Sequence, residues 1–195
     1  TIDDGFCGLD NPNGSMTDEI RKLFKKHQSQ ATFFITGSHC NYSTEEEVEL
    51  LLADGHEIAN HNMYDQPYHK HSLDDFEVDF EKTNLILEKL CGHSPHLYRS
   101  PFGRLSKKMN KSITQKGYKH IICDAFANDT AIPDPKWISK HILKTLKPGS
   151  IILIHMPEFG VREWNYEAIK LTLEGLERMN YKVVTVSQLL KLNKN

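Results

Sequence analysis

The chain has 195 residues, which is the size of one domain and leaves little room for two. Hydrophobic residues make up 38% and charged residues 26%, so a sizeable core is available and disorder of the whole chain is excluded. The 24 basic residues nearly balance the 26 acidic ones, and no apolar run approaches the roughly 20 residues of a membrane-spanning helix. We therefore expect one domain over residues 1–195 that neither binds nucleic acid nor spans a membrane.

Short apolar runs alternate with segments of helical spacing along nearly the whole chain, a pattern typical of a parallel sheet built from βα units. Strands are predicted at 1–3, 31–36, 57–60, 96–98, 119–123, 150–155 and 182–186. Helices are predicted at 16–27, 44–53, 73–90, 106–115, 135–146 and 166–179. The fold class expected is α/β, and seven strands are enough to close a barrel.

Polar side chains follow several of the predicted strands. In a barrel of parallel strands, chemistry collects where the strands end and the loops begin. The residues found at those positions are Asp3 and Asp4, His61, Arg99, Asp124 and His155. We therefore expect a site on one rim of the barrel.

Two pairs of residues are candidate metal ligands or proton carriers. Adjacent residues of an extended strand point to opposite sides, so Asp3 and Asp4 are suited to two different jobs, one on a metal and one on a proton. A turn opened by Asp-Asp-Gly is the alternative. His61 and Asp65 come to one side if their loop makes a helical turn, and the alternative is a buried histidine with an aspartate that caps the turn before Pro67.

The chain resembles the NodB-type polysaccharide deacetylases, the family-4 carbohydrate esterases, essentially along its full length. The motifs that carry the resemblance, in order, are 1–5 (TIDDG), 31–35 (ATFFI), 55–61 (GHEIANH), 99–103 (RSPFG) and 153–155 (LIH). The resemblance implies a distorted (β/α) barrel of the NodB homology type with about seven parallel strands. It also implies a hydrolase that removes acetyl groups from N-acetylglucosamine units with one divalent metal ion, zinc first, with cobalt or manganese as alternatives.

The resemblance also implies roles for individual residues. Asp4 and His61 match metal-ligand positions. Asp3 matches the general base that takes a proton from water, and Arg99 matches the residue that orients that base and keeps it ionised. His155 matches the general acid that protonates the leaving amine.

Three further positions match substrate-binding residues of the family. The backbone N–H of Phe102 matches the donor that stabilises the oxyanion, and Pro101 shapes that loop. Leu153 lies two positions before His155 on the same face of its strand and matches a residue that lines the pocket for the acetyl methyl group.

The second motif departs from the family pattern at its end. The family usually has a histidine where this chain has Asp65. We expect Asp65 to complete the ligand set with Asp4 and His61, which makes the set harder and more tolerant of manganese. His69 or His71 is the alternative third ligand.

The fourth motif matches only in part. Asp129 takes the place of its second aspartate, Phe126 that of the first and Thr130 that of a tryptophan. We therefore expect Asp124 to be the residue that raises the pKa of His155, and the alternative is that Asp124 is a solvated loop aspartate. The candidates for a replacement platform under a sugar ring are Trp137 and Trp164.

The function expected is deacetylation of an N-acetylglucosamine polymer or oligomer, with chitin ahead of peptidoglycan. One alternative is a carbohydrate-binding pseudoenzyme that keeps the groove but not the metal. The other is a hydrolase of the same fold that acts on a small cyclic amide.

Cysteines and glycosylation triplets bear on the compartment. No C-x-x-C pair is present, and a domain of this size folds without disulfides, so mostly free or buried thiols are expected at Cys7, Cys40, Cys91 and Cys123. Acceptor triplets that favour secretion begin at Asn13, Asn41, Asn110 and Asn128. We expect a monomer, secreted or associated with a cell wall, whose leader is absent or already removed.

Overall fold

The computed structural model describes residues 1–8, 11–42 and 45–192. The strands are Ile2–Gly5 (β1), Thr32–Ile35 (β2), Glu57–Asn60 (β3), Leu97–Tyr98 (β4), Lys119–His120 (β5), Ala125–Phe126 (β6) and Ile152–His155 (β7). The helices are Thr17–Lys26 (α1), Glu45–Ala53 (α2), Leu73–Cys91 (α3), Lys107–Gln115 (α4), Pro135–Thr145 (α5), Trp164–Arg178 (α6) and Val186–Leu192 (α7). Short 3-10 turns lie at Gly37–Tyr42, Tyr68–Lys70 and Pro101–Gly103.

All seven strands join one parallel sheet in the order β5-β4-β3-β2-β1-β7-β6. In a flat sheet, three strand spacings of about 4.8 Å would separate β4 from β1. The side chain of Arg99, directly after β4, nevertheless lies 2.5 Å from that of Asp3 on β1. The sheet must therefore curl, and the predicted α/β barrel of about seven parallel strands is confirmed as a curled half-barrel.

The central strands are covered on both faces. Every residue of β1 and β2 is buried, instead of every second one, as is typical of parallel strands between helices and a filled interior. Phe33, Ile58 and Ile154 of the sheet pack in one cluster with helical residues such as Ile20 and Leu87. This core fixes the strand ends that carry the polar candidates.

A smaller aromatic cluster supports the loop that follows β3. Phe80 of α3 packs edge to face on Tyr98 of β4, with ring centroids 5.4 Å apart, and Tyr68 belongs to the same cluster. The hydroxyl of Tyr68 accepts from the backbone N–H of Tyr64 at 3.2 Å and donates to Asp79 at 2.9 Å. The loop between His61 and α3 is thereby tied to a helix.

The predicted strand at 182–186 is wrong. Thr185 and Gln188 form a capping box, in which each backbone N–H donates to the other side chain, at 3.0 and 3.3 Å. This local signal starts α7 at Val186 and overrides the β-branched composition of the segment. The structure has a strand that was not predicted, β6, in place of the predicted strand at 182–186. Its two residues are too few to show a periodic pattern in the sequence.

The predicted helices agree with the observed ones to within two residues at each end, except that the helix predicted at 44–53 begins outside the described residues. Ser72 caps α3 by accepting from the N–H of Asp75 at 3.1 Å. Cys7, Cys91 and Cys123 are free thiols, as expected. None of the helices that the structure describes is long and apolar enough to cross a bilayer.

Candidate active site

The carboxyl ends of several strands surround one open cavity of about 570 Å³. Its lining includes Asp4 of β1, Asp65 after β3, Phe102 after β4 and His155 at the end of β7. In barrels of parallel strands this edge holds the loops that carry chemistry. The structure brings these predicted residues to one rim.

Asp3 is buried on β1 and is held by a guanidinium. Nη1 of Arg99 lies 2.5 Å from Oδ1 of Asp3 and also donates to Oγ1 of Thr1 at 2.7 Å. Nε of Arg99 donates to the carbonyl of Ile121 at 3.1 Å, and Cζ lies 4.1 Å from the ring centroid of Phe34. A buried carboxylate is costly without a paired charge, so this contact fits the role expected of Arg99.

Asp4 turns towards the same cavity because the strand bulges at this residue. The register of β1 against β2 shifts between Asp3 and Gly5, and Asp4 has a φ of 56°, which Asp tolerates better than most residues. The expectation that the two carboxylates point to opposite sides is therefore wrong. Nε2 of His61 lies 3.8 Å from Oδ2 of Asp3 and 3.6 Å from Oδ1 of Asp4.

His61 is buried directly after β3, and its orientation is fixed by a backbone carbonyl. Nδ1 lies 2.8 Å from the carbonyl oxygen of Arg99. Because a carbonyl only accepts, Nδ1 carries a proton, and Nε2 is the ring nitrogen that faces the two carboxylates. Metal-binding histidines have this arrangement, with the second nitrogen donating to a carbonyl or carboxylate.

Arg162, in the loop after β7, is a site residue that the sequence analysis missed. Its Nη1 donates to Oδ2 of Asp4 at 3.1 Å, and its Nη2 lies 3.8 Å from Oε1 of Glu158. Burial raises the pKa of Asp4, but the charges of His61, His155 and Arg162 outweigh it and lower the pKa to about 2. The only signal in the sequence was the spacing of Glu158 and Arg162, four residues apart with opposite charge.

His155 is paired with Asp129. Its Nδ1 lies 3.0 Å from Oδ1 of Asp129, and its backbone N–H donates to Oδ2 at 2.7 Å. Burial lowers the pKa of His155, but the hydrogen bond and charge of Asp129, followed by the charges of Asp4 and Asp3, raise it to about 9. The ring is therefore protonated at neutral pH, with Nδ1 engaged and Nε2 left as a proton donor.

The prediction that Asp124 supports His155 is wrong. Asp124 lies near the opposite, amino end of β7, where Oδ1 accepts from the N–H of Ile151 at 2.7 Å and Oδ2 from the hydroxyl of Ser150 at 3.1 Å. It precedes β6 instead of ending a strand, and this places it at the other edge of the sheet. Asp129 follows β6 and reaches the rim.

Asp129 is fixed in turn by the first residues of α6. Nδ2 of Asn165 donates to Oδ2 of Asp129 at 2.9 Å, and Nε1 of Trp164 donates to the backbone carbonyl of Asp129 at 2.9 Å. Trp164 also lines the cavity, whereas Trp137 stacks on His141 of its own helix with ring centroids 5.1 Å apart. Of the two tryptophans considered as a sugar platform, Trp164 is the one at the cavity.

Asp65 lines the cavity together with Asp4. Asp65 is an exposed residue, and partial desolvation by its neighbours, followed by the charge of Asp4, raises the pKa of its carboxyl. His69 lines a neighbouring cavity, and His71 packs on Tyr68 with ring centroids 5.5 Å apart. In the described part of the chain, neither alternative histidine lines the cavity of Asp4, so Asp65 stays the predicted third ligand.

Phe102 lies on a tight turn, is 64% exposed and has a φ of 58°. Within the described residues its backbone N–H has no hydrogen-bond partner, so it is available to an oxyanion. Pro101 is buried and shapes the turn. Leu153 shares the face of β7 that carries His155 and is half-buried, but it is not part of the cavity lining that the structure describes.

The side chains around Asp4 fit a divalent cation. Oδ1 of Asp4 is buried without a hydrogen-bond partner in the described residues, and Nε2 of His61 lies 3.6 Å from it. Carboxylate oxygen and imidazole nitrogen are ligands for zinc, cobalt and manganese, and Asp65 adds a carboxylate on the same cavity. No group of three or more His, Cys, Asp or Glu within 1–8, 11–42 and 45–192 already has the spacing of a complete metal site.

Known proteins similar to this chain include enzymes with closely related descriptions. Residues 1–121 match the sequence model of the family described as polysaccharide deacetylase. A peptidoglycan-N-acetylglucosamine deacetylase of Bacillus cereus is 30% identical over 194 residues, which cover 98% of this chain and 86% of that protein. A chitooligosaccharide deacetylase of Bradyrhizobium sp. is 22% identical over 200 residues, covering 97% of this chain and 88% of that protein.

Solved structures agree with the sequence comparisons. The structure of the peptidoglycan deacetylase PdaC from Bacillus subtilis matches with a TM-score of 0.85 at 27% identity, over 99% of this chain and 89% of that chain. The full PdaC sequence is longer, and the match covers 100% of this chain but 38% of that protein. The likeness extends over nearly all of the chain and includes the strands that carry the rim residues.

Proposed function

The chain belongs to the polysaccharide deacetylase family, and from this premise we propose that it removes the acetyl group of N-acetylglucosamine units with the help of one divalent ion. Membership makes it a hydrolase that deacetylates a polysaccharide. The observation that carries the finer proposal is the approach of Nε2 of His61 to both carboxylates, 3.8 Å from Asp3 and 3.6 Å from Asp4, on the same rim as His155, whose Nδ1 lies 3.0 Å from Asp129.

We propose that Asp4, His61 and Asp65 hold the ion, zinc in the first instance, with cobalt or manganese as alternatives. Such an ion supplies Lewis acidity to the amide carbonyl and acidifies water, and an unreactive acetamide needs both. Arg162 keeps Oδ2 of Asp4 occupied, which leaves Oδ1 as the ligand atom. His61 contributes Nε2 because its Nδ1 is already donating.

Asp3 is the proposed general base. Arg99 binds Oδ1 of Asp3, so Oδ2, on the side of His61, is the atom that accepts a proton from the attacking water. A positioned base of this kind contributes about 10²–10⁴-fold to a rate. The buried Arg99 fixes the orientation of Asp3 through this contact.

His155 is the proposed general acid. Breaking the C–N bond requires a proton on the leaving nitrogen, and Nε2 of His155 supplies it while Nδ1 stays on Asp129. The backbone N–H of Phe102 donates to the oxyanion that forms at the former carbonyl oxygen. The products are acetate and a free amine on the sugar, and Leu153 is proposed to pack near the acetyl methyl group.

The relatives bear on the choice of polymer. The B. cereus relative at 30% identity is described as acting on peptidoglycan N-acetylglucosamine, and the Bradyrhizobium relative at 22% as acting on chitooligosaccharides. We therefore reverse the order expected from the sequence and propose peptidoglycan-type glycan strands ahead of chitin. A monomer that is secreted or associated with a cell wall remains a prediction.

Acetate release tests the proposal. The purified chain is treated with a chelator, dialysed, and assayed on N-acetylglucosamine oligomers and on peptidoglycan glycan strands with zinc, cobalt or manganese added back. We expect activity to disappear with the chelator and to return with an added ion. Acetate release that is unaffected by chelation would overturn the metal dependence, and no release with any ion on either substrate would favour a binding pseudoenzyme.

A further inference from the structure

A second cavity adjoins the candidate active site, and its charged lining residues are basic. Its volume is about 310 Å³, and it is lined by Pro67, His69, Lys70, Phe102 and Arg104. Phe102 also lines the first cavity, so the two cavities meet at this residue. The first cavity contains the carboxylates of Asp4 and Asp65 together with Arg162 and His155, whereas no acidic residue is part of the described lining of the second.

The cations of the second cavity lack protein partners. Lys70 and Arg104 are exposed, and within the described residues neither has a carboxylate oxygen within 4.0 Å. Other surface lysines do pair, such as Lys25 with Asp54 at 2.7 Å. Nδ1 of His69 is buried and makes no hydrogen bond in the part of the chain that the structure describes. The two exposed cations of this cavity, Lys70 and Arg104, are therefore available to a ligand.

The ring of Phe102 divides the two cavities in a way that core packing does not require. The side chain is 64% exposed, and its backbone has a φ of 58°, where most residues other than glycine are strained. Strain of this kind persists where the surroundings impose it, and it clusters at sites that contact ligands. An exposed aromatic face between two cavities suits a sugar ring that passes from one cavity to the other.

We propose that this second cavity, the basic subsite, binds the carboxylate of an acidic sugar that flanks the unit being deacetylated. The proposal rests on the proposed function, because it takes the first cavity to hold the acetylated unit. Lysine and arginine bind carboxylates through charge-assisted hydrogen bonds, and an arginine can do so with two parallel bonds. A neutral chitin chain would leave these cations without a partner, so the basic subsite favours a polymer that alternates N-acetylglucosamine with a carboxylate-bearing sugar.

Three substrates of equal length test the subsite. They are chitooligosaccharides, peptide-free glycan strands with a carboxylate on every second sugar, and the same strands with those carboxylates amidated. We expect the KM for the acidic strands to be about tenfold lower than for the other two, which corresponds to about 1.4 kcal/mol. The advantage should shrink as salt is added, because exposed charges are screened.

A double variant and a matched control locate the effect. Lys70→Ala/Arg104→Ala should raise the KM for the acidic strands about tenfold while leaving kcat and the KM for chitooligosaccharides unchanged. Lys140→Ala/Lys144→Ala removes the same charge from exposed positions of α5 that line neither cavity, and it should change nothing. The exposure of all four side chains keeps the fold intact, which thermal unfolding checks.

Calorimetric binding of the same three saccharides separates the two proposals. Charge-dependent binding that the Lys70/Arg104 variant loses supports the basic subsite even if no acetate is released, in which case the proposed function fails. Acetate release with equal KM values for acidic and amidated strands overturns the basic subsite and leaves the proposed function standing. If Lys140→Ala/Lys144→Ala weakens binding of the acidic strands as much as Lys70→Ala/Arg104→Ala does, the basic subsite is also overturned, because the effect would then come from the net charge of the protein.

Discussion

Asp3 and Asp4 are neighbours in sequence and face the same imidazole, yet two different arginines hold them. Arg99 comes from the sheet, is 3% exposed and has further contacts through its Nη1, its Nε and the face of its guanidinium. Arg162 comes from a loop, and its side chain is 16% exposed. Each arginine has one buried nitrogen without a hydrogen-bond partner in the described residues, Nη2 of Arg99 and Nε of Arg162. The first pair belongs to the scaffold, and the second depends on the loop after β7.

The difference matches the two jobs proposed for the carboxylates. A base works only if its oxygen keeps a fixed position relative to the substrate, and a residue anchored by the sheet provides that. A ligand needs one oxygen free of protein hydrogen bonds, and Arg162 leaves Oδ1 of Asp4 in that state. Substitutions of Asp3 or of its partner Arg99 should therefore alter turnover, and substitutions of Asp4 or of its partner Arg162 should alter metal affinity.

The largest effect is expected from Asp3→Asn. The amide keeps the shape of the side chain but accepts no proton, so kcat should fall by about 10²–10⁴-fold. The metal content after dialysis should stay that of the unchanged chain. A variant that loses its metal together with its activity would make Asp3 a ligand and would end the division of labour between the two aspartates.

Asp65→Ala tests whether Asp65 binds the metal ion together with Asp4. If Asp65 is a ligand, its removal should lower metal affinity by more than the roughly 10–100-fold seen when an outer partner of a ligand is lost. Asp65→His should retain or improve zinc binding, because imidazole is a good zinc ligand. Competition with a chromogenic chelator measures both, and an unchanged affinity in the alanine variant would remove Asp65 from the set.

Arg162→Ala should have a smaller effect of the same kind. Without the guanidinium, Asp4 is free to rotate, and outer partners of metal ligands are worth about 10–100-fold in affinity. Arg162→Lys should recover part of the loss, since it keeps the charge but not the two-pronged geometry. Tighter metal binding by the alanine variant would mean that Arg162 opposes the ion, and the comparison with Arg99 would fail.

Much of this arrangement was predictable from the sequence. Apolar runs located most of the strands, because a parallel strand buried on both faces needs continuous apolar residues. Helical spacing between those runs located the helices. Strand ends then located Asp3, His61, Arg99 and His155 on one rim, since parallel strands share their carboxyl edge. The contact of Arg99 with Asp3 follows from the curl of the sheet, and the motif resemblance anticipated it.

The parts that failed depend on geometry that side-chain patterns do not carry. The bulge at Asp4 is a single positive φ, and it reverses the face on which the carboxylate lies. Asp124 and Asp129 differ only in the side of the two-residue strand β6 on which they fall. Arg162 lies in a loop with no periodicity, so only its contact with Asp4 identifies it.

The smallest effect concerns His155, which the charges of both aspartates reach. Its pKa is raised from the ordinary 6.5 to about 9, with Asp129 the largest raising cause and Asp4 and Asp3 contributing less. The proton donor is present below that pKa, so activity should fall as pH rises through about 9. In Asp129→Asn the fall in activity at high pH should begin closer to neutral pH, so the rate at pH 8 should be roughly tenfold lower. The dependence of activity on pH measures this shift.

Stability should follow the same titration. Because the folded-state pKa of His155 is above the unfolded value, the pair with Asp129 stabilises the fold fully below about pH 6.5 and loses that contribution as pH rises through about 9. The difference in the free energy of unfolding between the unchanged chain and Asp129→Asn should therefore shrink from pH 6 to pH 9. Asp124→Asn, which weakens only the hydrogen bonds at the start of β7, should lower stability while leaving the falling limb near pH 9. If the activity of Asp129→Asn also falls only near pH 9, then the charges of Asp3 and Asp4 are enough to keep His155 protonated. The proposed general acid would then depend on the same two carboxylates that are proposed to bind the metal and to accept the proton of water.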